Sequence, residues 1–236
     1  MKRISAIFSA GVILFFSSCN NSGKEKGETK MGDTTAATVV TAPSFIPFKV
    51  FMVQHTVKNF DKWKAAYLAH DSIRQMSGIT HYVFGRGLAD SNSVIVIDKM
   101  NDVKKAKELS ASPNLKEAME KAGVTGPPKF SYAEVIRNDD AKIDQKERVM
   151  VAHKVKDFDA WLKVYDGEGK ATREANGMLD RGLARGVDDP NMVYIVFAVT
   201  DMAKAKARMA SPELKKIMTD AGVEGPPQIM FYRLVE

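Results

Sequence analysis

The sequence predicts an α+β fold in which one strand–helix–strand–strand–helix–strand unit is written twice and the two sheets face each other. Two observations predict it. The first is an internal repeat. Met52-Val53-Gln54-His55-Thr56-Val57 lies over Met150-Val151-Ala152-His153-Lys154-Val155, and Phe60-Asp61-Lys62-Trp63 lies over Phe158-Asp159-Ala160-Trp161. One residue is added after Tyr165. Then Arg74 meets Arg173, Arg86-Gly87 meets Arg185-Gly186, Ser112-Pro113 meets Ser211-Pro212, and Gly126-Pro127-Pro128 meets Gly225-Pro226-Pro227. The second observation is that Val94-Ile95-Val96-Ile97 and Val193-Tyr194-Ile195-Val196-Phe197 are apolar at every position. A strand of that kind is covered on both faces.

Each unit reads in order. A first strand covers Phe51 to Val57, with Val149 to Val155 as its counterpart. Asn59 and Asp157 stand where a side-chain oxygen caps the next helix. That helix carries Phe60, Trp63 and Tyr67, or Phe158, Trp161 and Tyr165, as an apolar stripe, and Gly78 and Gly177 end it. A second strand runs from Ile79 to Arg86, a turn follows over Gly85 to Asn92, and a third strand runs from Val94 to Lys99. Asp102 and Asp201 cap another helix. Ser112-Pro113 and Ser211-Pro212 place a cap and an N1 proline for one more turn. The last strand is Phe130 to Ile136, or Ile229 to Val235.

The order βαββαβ is the ferredoxin-like arrangement. Its helices cover one sheet face, and the other face must also be buried. Two such sheets in one chain form an intramolecular pseudo-dimeric α/β barrel. The repeats are placed at 48–138 and 147–236, with a polar connector from Asn138 to Lys146. A monomer with an internal pseudo-twofold is expected.

The first 18 residues read as a processing signal. Lys2 and Arg3 precede an apolar run from Ile4 to Phe16, which is short for a membrane span. Ser17-Ser18-Cys19 follows, and Cys19 is the only cysteine. The stretch resembles a bacterial lipoprotein signal. That resemblance implies an acylated Cys19, a membrane partner through the N-terminal lipid, and a place in the bacterial cell envelope, with the choice of inner or outer membrane open. An ordinary signal peptide cut before Cys19 is the alternative. Residues 19–47 are polar, without apolar periodicity, and read as a flexible linker.

The formal net charge of +6 is spread along helices and interleaved with acids. No basic block suggests nucleic acid. No metal-ligand spacing, phosphate loop or serine nucleophile motif occurs.

Each unit resembles the dimeric α/β-barrel superfamily, near the antibiotic-biosynthesis-monooxygenase-like domains. The residues that carry the resemblance are the histidine in the first strand, the Phe-Asp-x-Trp helix start, and the Ser-Pro-x-Leu-Lys and Ala-Gly-Val-x-Gly-Pro-Pro segments. The superfamily holds enzymes and non-enzymes. Its known monooxygenases use no metal or flavin, so the resemblance implies no cofactor. They place Asn, Trp and His around an apolar cavity; this chain lacks the Asn in its first strands. The haem-degrading relatives use a helix histidine, where this chain has Trp63 and Tyr67.

His55 and His153 are the first candidates for chemistry, since both halves keep them among valines. Histidine is the natural acid or base near neutral pH. It also serves as a satisfied core group. Both are expected to point into the layer between the sheets. Arg74, Arg173, Arg86 and Arg185 are candidates for an anion or carboxylate; surface pairing with Asp61, Asp90, Asp159 or Asp189 is the alternative. By strict alternation Tyr82 shares a face with Phe84 and Arg86, as Arg181 does with Leu183 and Arg185. Trp63 and Trp161 fit a helix core and, secondarily, a pocket wall. His70 and His81 lack counterparts and read as surface residues. Three functions remain open: a lipoprotein binding a small apolar or anionic molecule in the barrel, a cofactor-independent monooxygenase or isomerase, and a structural or interaction module using exposed sheet edges.

Overall fold

The computed structural model describes residues 45–235. The leader (1–18), Cys19 and the linker up to residue 44 lie outside the described residues. The first half contains β1 (Phe48–Val57), α1 (Phe60–Ala69), α2 (Asp71–Met76), β2 (Ile79–Gly87), β3 (Ser93–Met100), α3 (Val103–Ser110), α4 (Pro113–Lys121) and β4 (Val124–Asn138). The second contains β5 (Glu147–Val155), α5 (Phe158–Glu168), α6 (Lys170–Ala175), β6 (Met178–Gly186), β7 (Met192–Val199), α7 (Met202–Ala210), α8 (Pro212–Asp220) and β8 (Val223–Val235).

The helix starts follow from their caps. Asn59 Oδ1 accepts the Lys62 N–H at 2.9 Å, and Asp157 Oδ1 accepts that of Ala160 at 2.7 Å. The stop at Gly78 uses φ +70°, which glycine reaches without a Cβ penalty. The helix before it is not continuous as expected. It breaks at His70 in the first half and at Gly169, φ +79°, in the second.

The strands close one antiparallel barrel in the order β1-β3-β2-β8-β5-β7-β6-β4. Each half supplies a four-stranded sheet, and two seams join them. At one, Phe84 to Gly87 of β2 pair with Tyr232 to Val235 of β8. At the other, Ala133 to Asn138 of β4 pair with Gly182 to Gly186 of β6. Gly85, expected in a turn, lies in the first seam. A Cβ there would stand 2.3 Å from the Tyr232 ring, so the approach of β8 requires glycine. Both seams hydrogen-bond the edges that an interaction module would have left exposed.

Three cores result. Val50, Met52, Ile95, Ile97, Met150 and Tyr232 fill the barrel interior. Phe51, Val53, Val57, Phe60 and Trp63 lie between sheet and helices in the first half, with Val149, Val151, Val155, Phe158 and Trp161 in the second. In β1 the even positions therefore face inward and the odd ones face the helices. In β2 the alternation fails. A bulge between His81 and Val83 puts Tyr82 with the barrel interior while Phe84 stays under the helices. The same shift between Asp180 and Gly182 separates Arg181 from Leu183.

Candidate functional site

His55 and His153 do not point into the barrel. The odd positions of β1 face the helices, and His55 lies there, 7% exposed, its ring 5.3 Å from that of Trp63. His153 is 4% exposed, with its ring 5.5 Å from Trp161. The reason is register: the histidines share a strand face with Val53 and Val57, and the aromatic stripe of the helix claims that face. Neither ring nitrogen of either histidine has a hydrogen-bond partner. That arrangement is uncommon, because buried polar atoms are nearly always paired. Burial also lowers both imidazoles to a pKa of about 4, so they are neutral bases at physiological pH.

Each histidine lines a cavity between sheet and helices. In the first half the cavity is about 150 Å³ and mainly apolar, with Phe51, Val96, Leu109, Met119 and Phe130 in its walls. Trp63, Tyr67, His70 and Arg74 also line it, so His70 is a pocket residue rather than a surface one. In the second half the corresponding cavity is about 70 Å³.

Three substitutions at equivalent positions explain the difference. Ala69, Leu109 and Asn114 of the first half are Glu168, Arg208 and Glu213 in the second. Arg208 is 8% exposed; its Nη2 donates to Glu168 at 2.7 Å and its Nη1 to Glu213 at 3.1 Å. Arg173 joins Glu168 at 3.5 Å. An ion-pair network of Glu168, Arg173 and Arg208 thus lines the second pocket, where the first has the alkyl side chain of Leu109 at the position of Arg208.

The arginines of α2 and α6 are buried, which sets aside the alternative of surface pairing with Asp61, Asp90, Asp159 or Asp189. Arg74 is 8% and Arg173 5% exposed. Each guanidinium stacks on a tyrosine ring, 3.7 Å from the Tyr67 centroid and 4.1 Å from that of Tyr165. Arg74 Nη1 donates to the Tyr67 carbonyl at 2.6 Å and its Nη2 to Asp71 of the same helix at 3.0 Å. The strand carboxylates beside the two arginines come from different strands. In the second half Asp180 of β6 takes Nε and Nη2 of Arg173 at 2.7 and 2.8 Å. The equivalent of Asp180 is His81, and the first-half acid stands on the adjoining strand as Asp98, directly opposite His81. Tyr67 donates to Asp98 at 2.7 Å, and His81 Nδ1 lies 2.9 Å from the same hydroxyl and 3.2 Å from Asp98. Arg74 Nε remains 3.9 Å from Asp98 and has no hydrogen-bond partner. The first pocket therefore carries two buried groups with unused bonding capacity, His55 and Arg74. In the second, Arg173 is satisfied and only His153 is not.

The other candidates lie elsewhere. Arg86 donates to the Ser91 carbonyl at 2.8 Å, and Arg185 to that of Pro190 at 3.1 Å. Their guanidinium groups cover Phe60 and Phe158 at 4.3 and 4.1 Å. They brace a turn and shield a helix start, away from the histidine cavities. Tyr82 belongs to the barrel interior. Trp63 and Trp161, both 3% exposed, are core residues and pocket walls at once. Among the described residues no cluster of His, Cys, Asp and Glu suits a metal ion. Sequence reasoning missed Asp98 and Tyr67. The signal was a lone acid inside an otherwise apolar strand.

No family model matches the chain, and no curated protein matches it. Solved structures do. A presumed monooxygenase of Fusobacterium nucleatum is 12% identical, with 81% of this chain and 93% of that one covered and a TM-score of 0.52. An anthrone oxidase-like protein is 15% identical, over 80% and 92% of the chains, also at 0.52. A ferredoxin-fold protein of Listeria monocytogenes related to antibiotic biosynthesis monooxygenases is 12% identical, over 81% and 97%, at 0.46. At such identities the likeness is one of fold, the ferredoxin-like dimeric α/β barrel.

Proposed function

We propose that the first-half pocket binds one small, largely apolar molecule whose polar group pairs with His55. The observation that supports this is a buried, neutral imidazole with both nitrogens unpaired beside a cavity. Leaving such atoms unpaired costs stability, and a ligand hydrogen bond would recover it. Arg74 Nε offers a second donor on the same wall. The test is native mass spectrometry of protein taken from its own envelope, with wild type set against His55→Ala. An adduct held by wild type and lost by the variant is the expected result. An equal adduct in both, or none in either, would exclude the pocket.

A cofactor-independent oxidation is the second reading. It is favoured by an imidazole kept unprotonated inside an apolar cavity, although a pKa of about 4 makes it a weaker base than free histidine. Two structures of this fold carry names of that kind, a presumed monooxygenase and an anthrone oxidase-like protein. We read the matched halves as a tandem duplication, acting as a monomer. We also place the protein in the bacterial cell envelope, held by a lipid on Cys19. Cys19→Ala should leave the precursor uncut or the protein free of lipid; normal cleavage without lipid in both forms would remove the anchor from this reading.

A further inference from the structure

The barrel interior is mainly apolar, and charged groups border its cavity at one end. There Arg148 and Arg181 border a cavity of about 160 Å³, on the opposite face of the sheets from the histidine pockets. Arg148 follows Glu147 at the start of β5 and shares the inward side of that strand with Met150. The equivalent first-half positions are Val50 and Tyr82. Both cations therefore come from the second half alone and have no counterpart across the pseudo-twofold.

Their charges are not balanced. Arg148 is 7% exposed, and among the described residues no carboxylate stands within ion-pair distance of it. The adjacent Glu147 is engaged by Arg233, with Nε at 3.0 Å. Asp139 faces Arg181 instead, at 3.5 Å. What holds the two guanidinium groups is the connector between the halves. Arg148 Nη1 donates to the carbonyls of Gln145 and Glu147 at 2.6 and 2.9 Å, and Arg181 Nη2 to that of Ala141 at 2.8 Å. Carbonyl oxygens orient a guanidinium but do not neutralise it. Burial is the main cause that weakens Arg148's hold on its proton; Arg181 adds to it, while Tyr232 and Glu147 act against it. A buried cation without a counter-ion is a costly arrangement unless an anion arrives to complete it. Among the described residues Asp139 is the one carboxylate in ion-pair contact with the two guanidinium groups, so at close range they are one negative charge short; Glu147 acts on Arg148 from beyond ion-pair distance. Beyond it the cavity walls are Val50, Met52, Ile97, Val196 and Leu234.

We propose that the barrel interior binds a single-chain aliphatic carboxylate, its head on Arg148 and Arg181 and its tail along the Val50–Ile97–Val196 wall. Guanidinium and carboxylate match in plane and fork, and a monoanion supplies the one missing charge. Apart from Arg148, Arg181 and Asp139, the polar groups of the lining are Asn138 and the phenols of Tyr82, Tyr194 and Tyr232, none of which carries a charge to compete for the head. This site is separate from the His55 pocket, and either can stand without the other.

Calorimetric titration of the purified protein with octanoate tests the proposal, with 1-octanol as the neutral control. One octanoate per chain is expected, and octanol should bind at least tenfold more weakly. Arg148→Met should weaken octanoate at least tenfold, and Arg181→Met less, because Asp139 already neutralises that group. His55→Ala should leave octanoate binding unchanged, which separates this site from the helix–sheet pocket. Ile97→Phe narrows the tail channel with both arginines in place and should also weaken binding, so the outcome does not hang on the folding of Arg148→Met. No heat from octanoate at millimolar concentration would overturn the proposal. So would equal binding of octanol, or affinity unchanged in Ile97→Phe and in a folded Arg148→Met. The arginines would then serve only to peg the connector.

Discussion

Arg173 grips Asp180 with two nitrogens, Nε at 2.7 Å and Nη2 at 2.8 Å. The equivalent Arg74 pairs with Asp71 of its own helix through Nη2 at 3.0 Å, and its Nε stands 3.9 Å from the strand carboxylate, Asp98. The carboxylate has changed strands, and with it the guanidinium has passed from satisfied to partly free. The two halves thus share a backbone and differ in where bonding capacity is left over.

Stability should register this difference. Breaking a buried pair by removing one partner typically costs about 3–5 kcal/mol, since the other charge stays buried alone. Arg173→Met leaves Asp180 and Glu168 without their shared cation, although Asp180 is 21% exposed and partly hydrated. We expect a loss of about 3 kcal/mol. Arg74→Met should cost less than half of that, because Tyr67 and His81 still serve Asp98, and Asp71, its other partner, has a side chain 43% exposed to water. Urea unfolding of both variants gives the comparison, and equal losses would contradict the assignment.

The buried histidines make stability depend on pH. Their pKa falls from the ordinary 6.5 to about 4 on folding. Between those values the unfolded chain holds a proton that the folded chain does not, so stability rises with pH there. It is fully present above pH 6.5, falls as the pH drops, and levels off below about 4. Each histidine should contribute roughly 3 kcal/mol to that slope. His55→Leu should flatten it by about half, and the double variant with His153→Leu by most of it. Denaturant midpoints measured from pH 7 to 4 decide the matter; an unchanged slope in the double variant would mean that the rings are hydrated or paired in solution.

The seams carry a prediction about the isolated half. Residues 48–138 alone would expose the β2 and β4 edges and the inward side chains Val50, Met52, Ile95 and Ile97. Such edges pair readily with other strands. The fragment should dimerise, each copy taking the place of the missing half. Sedimentation showing a stable monomer at micromolar concentration would count against closure by the second half as the source of stability.

The repeat and the all-apolar third strands were enough to reveal the barrel, because element order and two-sided burial are written in composition and period. The site was less legible. A histidine among valines reads the same whichever sheet face is claimed by helices, so the expected inward direction of His55 had no residue pattern behind it and was wrong. Tyr82 was misplaced because a bulge at His81–Val83 shifts the alternation by one, and no glycine or proline marks it. Arg74 reads as a surface residue at a helix end. Its burial depends on the Tyr67 ring beneath it, a tertiary contact, besides the local pair with Asp71. The three replacements of the second half are visible in the alignment, but their meeting in one ion-pair network is a tertiary fact.

That meeting allows the first pocket to be rebuilt in the second half. Glu168 and Arg208 stand where the first half has Ala69 and Leu109. The double variant Glu168→Ala, Arg208→Leu removes a buried cation together with its principal acid, so no unpaired charge remains except Glu213, which is 75% exposed. Arg173 keeps Asp180. Replacing a buried ion pair with apolar side chains is often neutral or stabilising, so the variant should fold. Its second cavity should then approach the size of the first. The tryptophans report on the two sites separately, since Trp63 and Trp161 each line one pocket and the chain has no others. With 2-naphthol as the probe, quenching in the parent protein should come from Trp63 and vanish in Trp63→Phe. In the double variant it should persist in Trp63→Phe, and the stoichiometry should rise from one probe per chain toward two. Quenching of Trp161 in the parent protein would mean that the ion-pair network does not close the second pocket. A double variant that folds but still binds a single probe would place the barrier deeper, at His153 and the helix core around it.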